Sequence, residues 1–314
     1  MRKFTAILTF SCGLFAAAAA QAADFYVDPQ NGDPSGDGSA AKPWRTLQEV
    51  VEANLIETRH WAVLPYQDGA MLKVVNAGAP IKAGDTIWLR SGFHGDVVIQ
   101  GAYNEKTITI AAENGHTPKL GHLTLSAAEH WTVRGLSLSP SHAPMYTGGT
   151  MVDIDNHGYH GPSRDIVVEN CDLFSVDDSS KWTAMDWVNV AASAISVDGA
   201  RVTIQKNRIR NVRFGISVTG EDAFIAQNTI DGFSADGLRG LGNGDVFEYN
   251  VIKNVYVADP EDANHDDGFQ SWSVGAGGVG TGEVQNVTLR GNVFINRESP
   301  NQLFPNSMQG IGCF

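Results

Sequence analysis

The chain has 314 residues, 22 of them basic and 35 acidic, for a formal net charge of −13, with 34 glycines and three cysteines. An acidic surface of this kind argues against nucleic acid as a partner. The length suits one elongated domain, and no Pro-rich or Ser-rich linker divides it.

Residues 1–22 read as a secretory signal: Arg2 and Lys3 precede an apolar stretch from Phe4 to Ala19, and Ala20-Gln21-Ala22 follows the small-x-small rule for cleavage. Loss of Arg2 and Lys3 leaves 20 basic against 35 acidic residues, a net charge of −15. No later segment has the length and apolarity of a membrane span. The expectation is an exported monomer, bound for a bacterial periplasm or the medium.

The mature part, 23–314, opens with a short strand at Phe25-Tyr26-Val27-Asp28-Pro29 and a long Gly, Asp and Ser rich turn. Thr46-Leu47-Gln48-Glu49 has capping-box spacing, and Val50, Val51, Leu55 and Ile56 form an apolar stripe at helical spacing through about Glu57. This predicts an amphipathic helix covering the open end of a solenoid, because terminal repeats must be shielded. Strands begin at 85–89 and 97–99 and continue at 107–110, 123–125 and 131–133.

From there an irregular repeat dominates. Short β-branched segments end in Asn170, Asn207, Asn228, Asn250 and Asn292, with intervals of 21, 22 and 42 residues across the last four. A second rung runs in phase, with Gly215, Gly237, Gly268 and Gly310 each preceding an apolar residue. A period near two dozen residues, with several short strands and no obligatory helix per unit, predicts an all-β right-handed parallel β-helix solenoid with an N-terminal capping helix. The asparagines are expected to be structural: Asn tolerates left-handed backbone angles, and its amide can be satisfied by the same side chain one coil away. By strand alternation, Arg239 and Gln270 should share an outer face.

Cys12 leaves with the signal, and Cys171 and Cys313 are placed several coils apart by the repeat, so no disulfide is expected. The closing segment 309–314 reads as the middle of a strand, which suggests a portion of a longer protein.

The opening Tyr26-Val27-Asp28-Pro29 to Gly38, the phrase Lys42-Pro43-Trp44-Arg45-Thr46, the segment Ala83-Gly84-Asp85-Thr86-Ile87 and the Asn-ended coils together resemble the secreted right-handed parallel β-helix proteins that act on polysaccharides. That group includes pectate and alginate lyases, mannuronan epimerases and some hydrolases. The resemblance covers nearly all of the mature chain and is specific for fold, less so for reaction, because one fold hosts many chemistries. It implies an acidic polysaccharide as partner.

The densest polar cluster, 259–270, lies in an insertion: Gly237 to Gly268 spans 31 residues against 22 from Gly215 to Gly237. Insertions in solenoids emerge as loops on one face, where ligands bind. Abstracting a proton beside a uronate carboxylate needs a base near neutral pKa, which His265 supplies, with Asp266 as its neighbour. The developing charge needs neutralising, by Arg239 or by a Ca²⁺ held by Asp236, Asp266 and Asp267. Gln270 would bind substrate. The competing account makes Asp266-Asp267-Gly268 a turn, His265 a loop residue and the acidic run a solvated surface.

An excursion from Phe174 to Ala194 carries Lys181, which with Arg239 is a candidate for the Arg or Lys base that the resemblance to calcium-dependent pectate lyases implies, and Trp182 and Trp187, whose flat rings suit the apolar faces of sugars. The plainer account has at least one of these tryptophans packing the loop onto the coil. His157 and His160 with Asp153 and Asp155 have metal-ligand spacing, although Gly158, Tyr159 and Gly161 favour an ordinary polar loop.

The resemblance points to a lyase. Its alternatives are a hydrolase, with a carboxyl pair from Asp236, Asp266 and Asp267 on coils about 4.8 Å apart, a C5-epimerase, and a non-enzymatic glycan-binding or surface protein. The epimerase motif Asp-Pro-His-Asp is interrupted here, because residues 261–264 separate Asp259-Pro260 from His265-Asp266.

Overall fold

The computed structural model describes residues 22–256, 266–305 and 307–313. The signal segment and His265 therefore lie outside the described residues. No helix among the described residues is long and apolar enough to cross a membrane.

The chain winds as a right-handed parallel β-helix whose coils have three faces. One coil shows the plan: Ile216–Val218 on the first face, Phe224–Ala226 on the second, Thr229–Phe233 on the third, and Leu238–Gly240 back on the first. Each strand pairs in parallel with its equivalent one coil away. Val97–Ala112 and Leu123–Arg134 are long enough to bend across a corner and serve the first two faces together.

The register explains the core. Ile195, Ile216, Leu238 and Phe269 stack on the first face. Ile204, Ile225, Phe247 and Leu289 stack on the second, and Ile209, Ile230, Ile252 and Phe294 on the third. Most of these residues are buried, and full burial of such a side chain stabilises by roughly 1.5–3 kcal/mol. Growth along the axis adds a layer of core with every coil.

The asparagine repeat is a buried ladder with one corrected member. Asn207 donates its backbone and side-chain N–H to Asn228 Oδ1, both at 3.0 Å. Asn228 does the same to Asn250, and Asn250 to Asn292. The residue one rung before Asn207 is Cys171, whose N–H donates to Asn207 Oδ1 at 2.9 Å, and not Asn170. Nor do the ladder asparagines carry the left-handed angle. That falls on the residue before each, Lys206 (φ 57°), Gln227 (φ 57°), Tyr249 (φ 55°) and Gly291 (φ 64°), and Asn170 (φ 54°) belongs to this set. Asn stands in the ladder for its amide, which also bonds a carbonyl of an earlier strand, as Asn228 Nδ2 does Ile204 O at 2.9 Å.

Glycine marks the corner before the first face because space is absent there. A Cβ on Gly237 would come within 2.4 Å of Ile252 Cγ2, and one on Gly215 within 2.2 Å of the Gly237 carbonyl oxygen.

The N-terminal helix is present but short, Leu47–Glu52, with Thr46 Oγ1 accepting from the Glu49 N–H at 3.2 Å. Leu55 and Ile56 fall beyond it, because the chain turns at Asn54 (φ 56°) to start an antiparallel arm, Thr58–Trp61 with Leu72–Val75. Leu47 and Val50 are fully buried against the coil end, so the helix covers it as expected. Cys171 and Cys313 are both free thiols.

Candidate functional site

The outward positions of the first face form a row in register: Thr124, Asp153, Ser196, Ser217, Arg239, Gln270 and Gly312. Arg239 and Gln270 are direct neighbours, as strand alternation requires. Large polar groups are concentrated on these two coils, while small polar residues occupy the coils before them.

The corner just ahead of this row holds the carboxylates. Asp236 Oδ1 accepts the N–H of Asp267, one coil on, at 3.0 Å. Asp236 Oδ2 accepts from Arg239 Nε, three residues ahead. The next coil repeats the device, with Gln270 Nε2 donating to Asp267 Oδ2 at 3.1 Å. Asp236, Asp266, Asp267 and Gln270 are buried. Asp267 is fully buried, its Oδ2 taking the Gln270 side-chain amide. The Arg239 guanidinium lies 4.1 Å from the ring centre of Phe214 and 5.2 Å from that of Trp272. Its side chain keeps 21% exposure, so the charge reaches the surface of the face.

Phe214 and Trp272 were not singled out in the sequence. Phe214 precedes Gly215 as Asp236 precedes Gly237, so the repeat itself carried a signal for it. Trp272 follows the strand Phe269–Ser271, and no spacing announced it.

The excursion 175–192 makes a different cluster. It holds the helix Ala184–Asn189, closed at its start by a capping box between Thr183 and Asp186. Trp187 is buried, stacks on Tyr256 at 4.1 Å and accepts at its carbonyl from Ser234 Oγ at 2.7 Å. It packs the loop onto the coil and is no open platform, which corrects the expectation for this residue. Trp182, half-buried, meets Trp187 edge-on at 4.9 Å, and Lys181 beside it is exposed.

The histidine loop is a turn. His157 Nδ1 accepts the N–H groups of Tyr159 and His160 at 3.1 and 3.2 Å. Asp153 and Asp155 lie instead on the outward first face. Burial holds the Asp153 carboxyl above its ordinary range, and the neighbouring charges of Asp155 and Asp198 add to the effect. Ser126 Oγ donates to Asp155 at 2.9 Å and Thr219 Oγ1 to Asp198 at 3.1 Å.

One group among the described residues has metal-ligand geometry: Glu129, His130 and Asp165 offer ligand atoms within 4.8 Å of one another. It lies at the second face, away from the acidic corner. Glu129 is already paired with Arg164 at 2.9 Å, and Asp165 with Arg201 at 2.6 Å.

Residues 193–311 match the family model described as "Right handed beta helix region". The chain is similar to a solved structure titled rhamnogalacturonan lyase, at 10% identity over 80% of this chain and 73% of that one, with a TM-score of 0.37. It is similar to the pectate lyase Pel9A at 14% identity, over 87% of this chain and 80% of that one, with a TM-score of 0.40. It is also similar to pectate lyase C from Erwinia chrysanthemi at 14% identity, over 72% and 68%, with a TM-score of 0.35. No curated protein matches the chain.

Proposed function

We propose that this chain is an exported carbohydrate-active enzyme that cleaves a uronate-containing polysaccharide by β-elimination on its first face. The observation that supports this most is the pair of stacked polar units, Asp236 with Arg239 and Asp267 with Gln270, on adjacent coils. Elimination needs negative charge on the uronate carboxyl to be neutralised while the neighbouring proton leaves. Arg239 is suited to this: Asp236 fixes its Nε side, two rings hold the guanidinium plane, and part of it faces outward. In this reading Gln270, one coil on and in register with Arg239, binds a sugar hydroxyl. The base of this reading is His265, at the edge of the same coil in the sequence.

The acidic corner fits Ca²⁺ poorly as a resident ion. Both oxygens of Asp236 are engaged, by Arg239 and the Asp267 N–H, and a cation would sit against a guanidinium. The test is absorbance near 235 nm, where an unsaturated uronyl end absorbs, on alginate, pectate and glucuronan with and without chelator. A rise on one of them, insensitive to chelator and reduced about 100-fold or more in Arg239→Lys, is the expected result. A flat trace on all three overturns the elimination.

A hydrolase reading rests on a different observation. Asp153, whose carboxyl is pushed upward by burial and then by the charge of Asp155, and Asp155 two residues on, give two carboxyls on one outward face, the pair of groups that glycoside hydrolysis uses. New reducing ends without absorbance at 235 nm, lost in Asp153→Asn, would favour it. Reducing ends retained in that variant would remove it.

A further inference from the structure

We propose that the cavity of about 230 Å³ between the excursion 175–192 and the segment 301–304 is a binding pocket for one neutral pyranose ring of a glycan. This goes beyond the uronate reaction on the first face, and it concerns a different sugar. The cavity is walled by Trp182, Trp187 and Tyr256, with Asn301, Gln302 and Phe304 opposite. Trp182, half-buried, is the ring open to the cavity; it meets the buried Trp187 edge-on, and Trp187 stacks behind it on Tyr256. Trp182 gives a sugar a flat ring to stack on, and the buried Trp187, at 88° to it, supports that ring from behind.

The polar groups suit hydroxyls. Ser179, Ser180 and the amides of Asn301 and Gln302 line the cavity, and Gln302 is anchored by donating to the Val255 carbonyl at 2.7 Å. Among the described residues, no Lys, Arg, His, Asp or Glu lines the cavity. A carboxylated sugar entering here would lose its hydration with no cation among these lining residues to meet it, and a neutral one has no such cost. The volume is below the roughly 300–1,000 Å³ of a drug-sized site, which fits a single ring. The walls are also built to stay: Trp187 is pinned by Ser234, Ser179 Oγ donates to Asn211 Oδ1 at 3.0 Å, and Asn211 Nδ2 donates to the Val176 carbonyl at 2.9 Å.

The experiment is calorimetry and tryptophan fluorescence on the full chain with neutral xylo-, cello- and manno-oligosaccharides, and with oligogalacturonate. Trp182→Ala removes the wall, and Leu303→Arg, at a rim position 57% exposed, blocks the mouth without touching the core. Binding of a neutral oligosaccharide, weakened about tenfold or more by each variant with melting unchanged, is expected. Should Trp182→Ala fail to fold, Leu303→Arg decides alone. Absence of neutral-sugar binding, or wild-type binding in the folded variants, overturns the pocket. Oligogalacturonate binding with the same sensitivity to the variants overturns the neutral class. Because the readout is binding of uncharged sugars, its failure is separable from failure of the 235 nm assay.

Discussion

Asp245 shows how a single residue can carry a pH dependence that has nothing to do with catalysis. Its side chain is fully buried at a corner, where Oδ1 accepts the Ala223 N–H at 2.9 Å. Burial still raises the carboxyl from 3.8 to about 6, with the charges of Asp222 and Glu221 contributing in the same direction. The folded-state value lies above the unfolded one, so the folded chain holds the proton more tightly. The stabilisation is complete below about pH 4 and is lost as pH rises through about 6. A shift of about two units corresponds to about 3 kcal/mol. Melting temperature followed from pH 4 to 7 in wild type and Asp245→Asn should show a falling component that the variant lacks; identical profiles would mean that Asp245 stays charged when folded. The sequence offered no sign of this residue, since Asp before a strand reads as a turn. By contrast, Arg239 and Gln270 could be paired from sequence, because strand alternation and a 31-residue interval between glycines are enough to place two side chains on one face. The contacts that orient Arg239, from Phe214 and Trp272, depend on where side chains lean, which spacing does not encode.

At the scale of the strand and its corner, the ladder makes a graded prediction. Asn228 is buried and accepts two bonds from Asn207 while giving one each to Ile204 and Asn250. Removing its amide strands the Asn207 N–H and the Ile204 carbonyl inside the coil, and each buried orphan costs about 1–3 kcal/mol. Asn292 lies near the surface and serves a single neighbour, Asn250, besides the Phe247 carbonyl. In urea unfolding, Asn228→Ala should lose about 2–5 kcal/mol and Asn292→Ala clearly less; equal losses would show that the ladder does not act through buried amides. The period of this ladder was readable because each coil repeats one set of contacts. Its phase at Asn170 was not, since a left-handed corner and a ladder rung both favour Asn and stand side by side. The helix end was missed for a related reason. Leu55 and Ile56 keep an apolar stripe after the helix has stopped, because they pack against the core from the turn into the arm. That arm and the helix Ala184–Asn189 belong to no repeat, so their existence depends on tertiary packing alone.

For the molecule as a whole, charge and proposed substrate are in tension. The chain carries −13, and a polyuronate is a dense polyanion. A protein of this sign repels such a polymer at long range, and only the short-range fields of groups such as Arg239 attract it. The two fields respond to salt differently. The long-range repulsion is screened once the Debye length falls to about 10 Å at 0.1 M, whereas a guanidinium half-enclosed by Phe214, Trp272 and Asp236 is screened much less. KM for the polyuronate should therefore fall severalfold as NaCl rises from about 20 mM to about 150 mM. A basic polysaccharide-binding surface would show the reverse. Neutral oligosaccharides bound between Trp182 and the segment 301–304 give the internal control, since an uncharged ring feels neither field and its affinity should hold constant across the same range. A KM that rises with salt would place a cationic surface larger than Arg239 in contact with the polymer. The solenoid form that the repeat announced would then be correct while the assignment of its first face to this substrate would not.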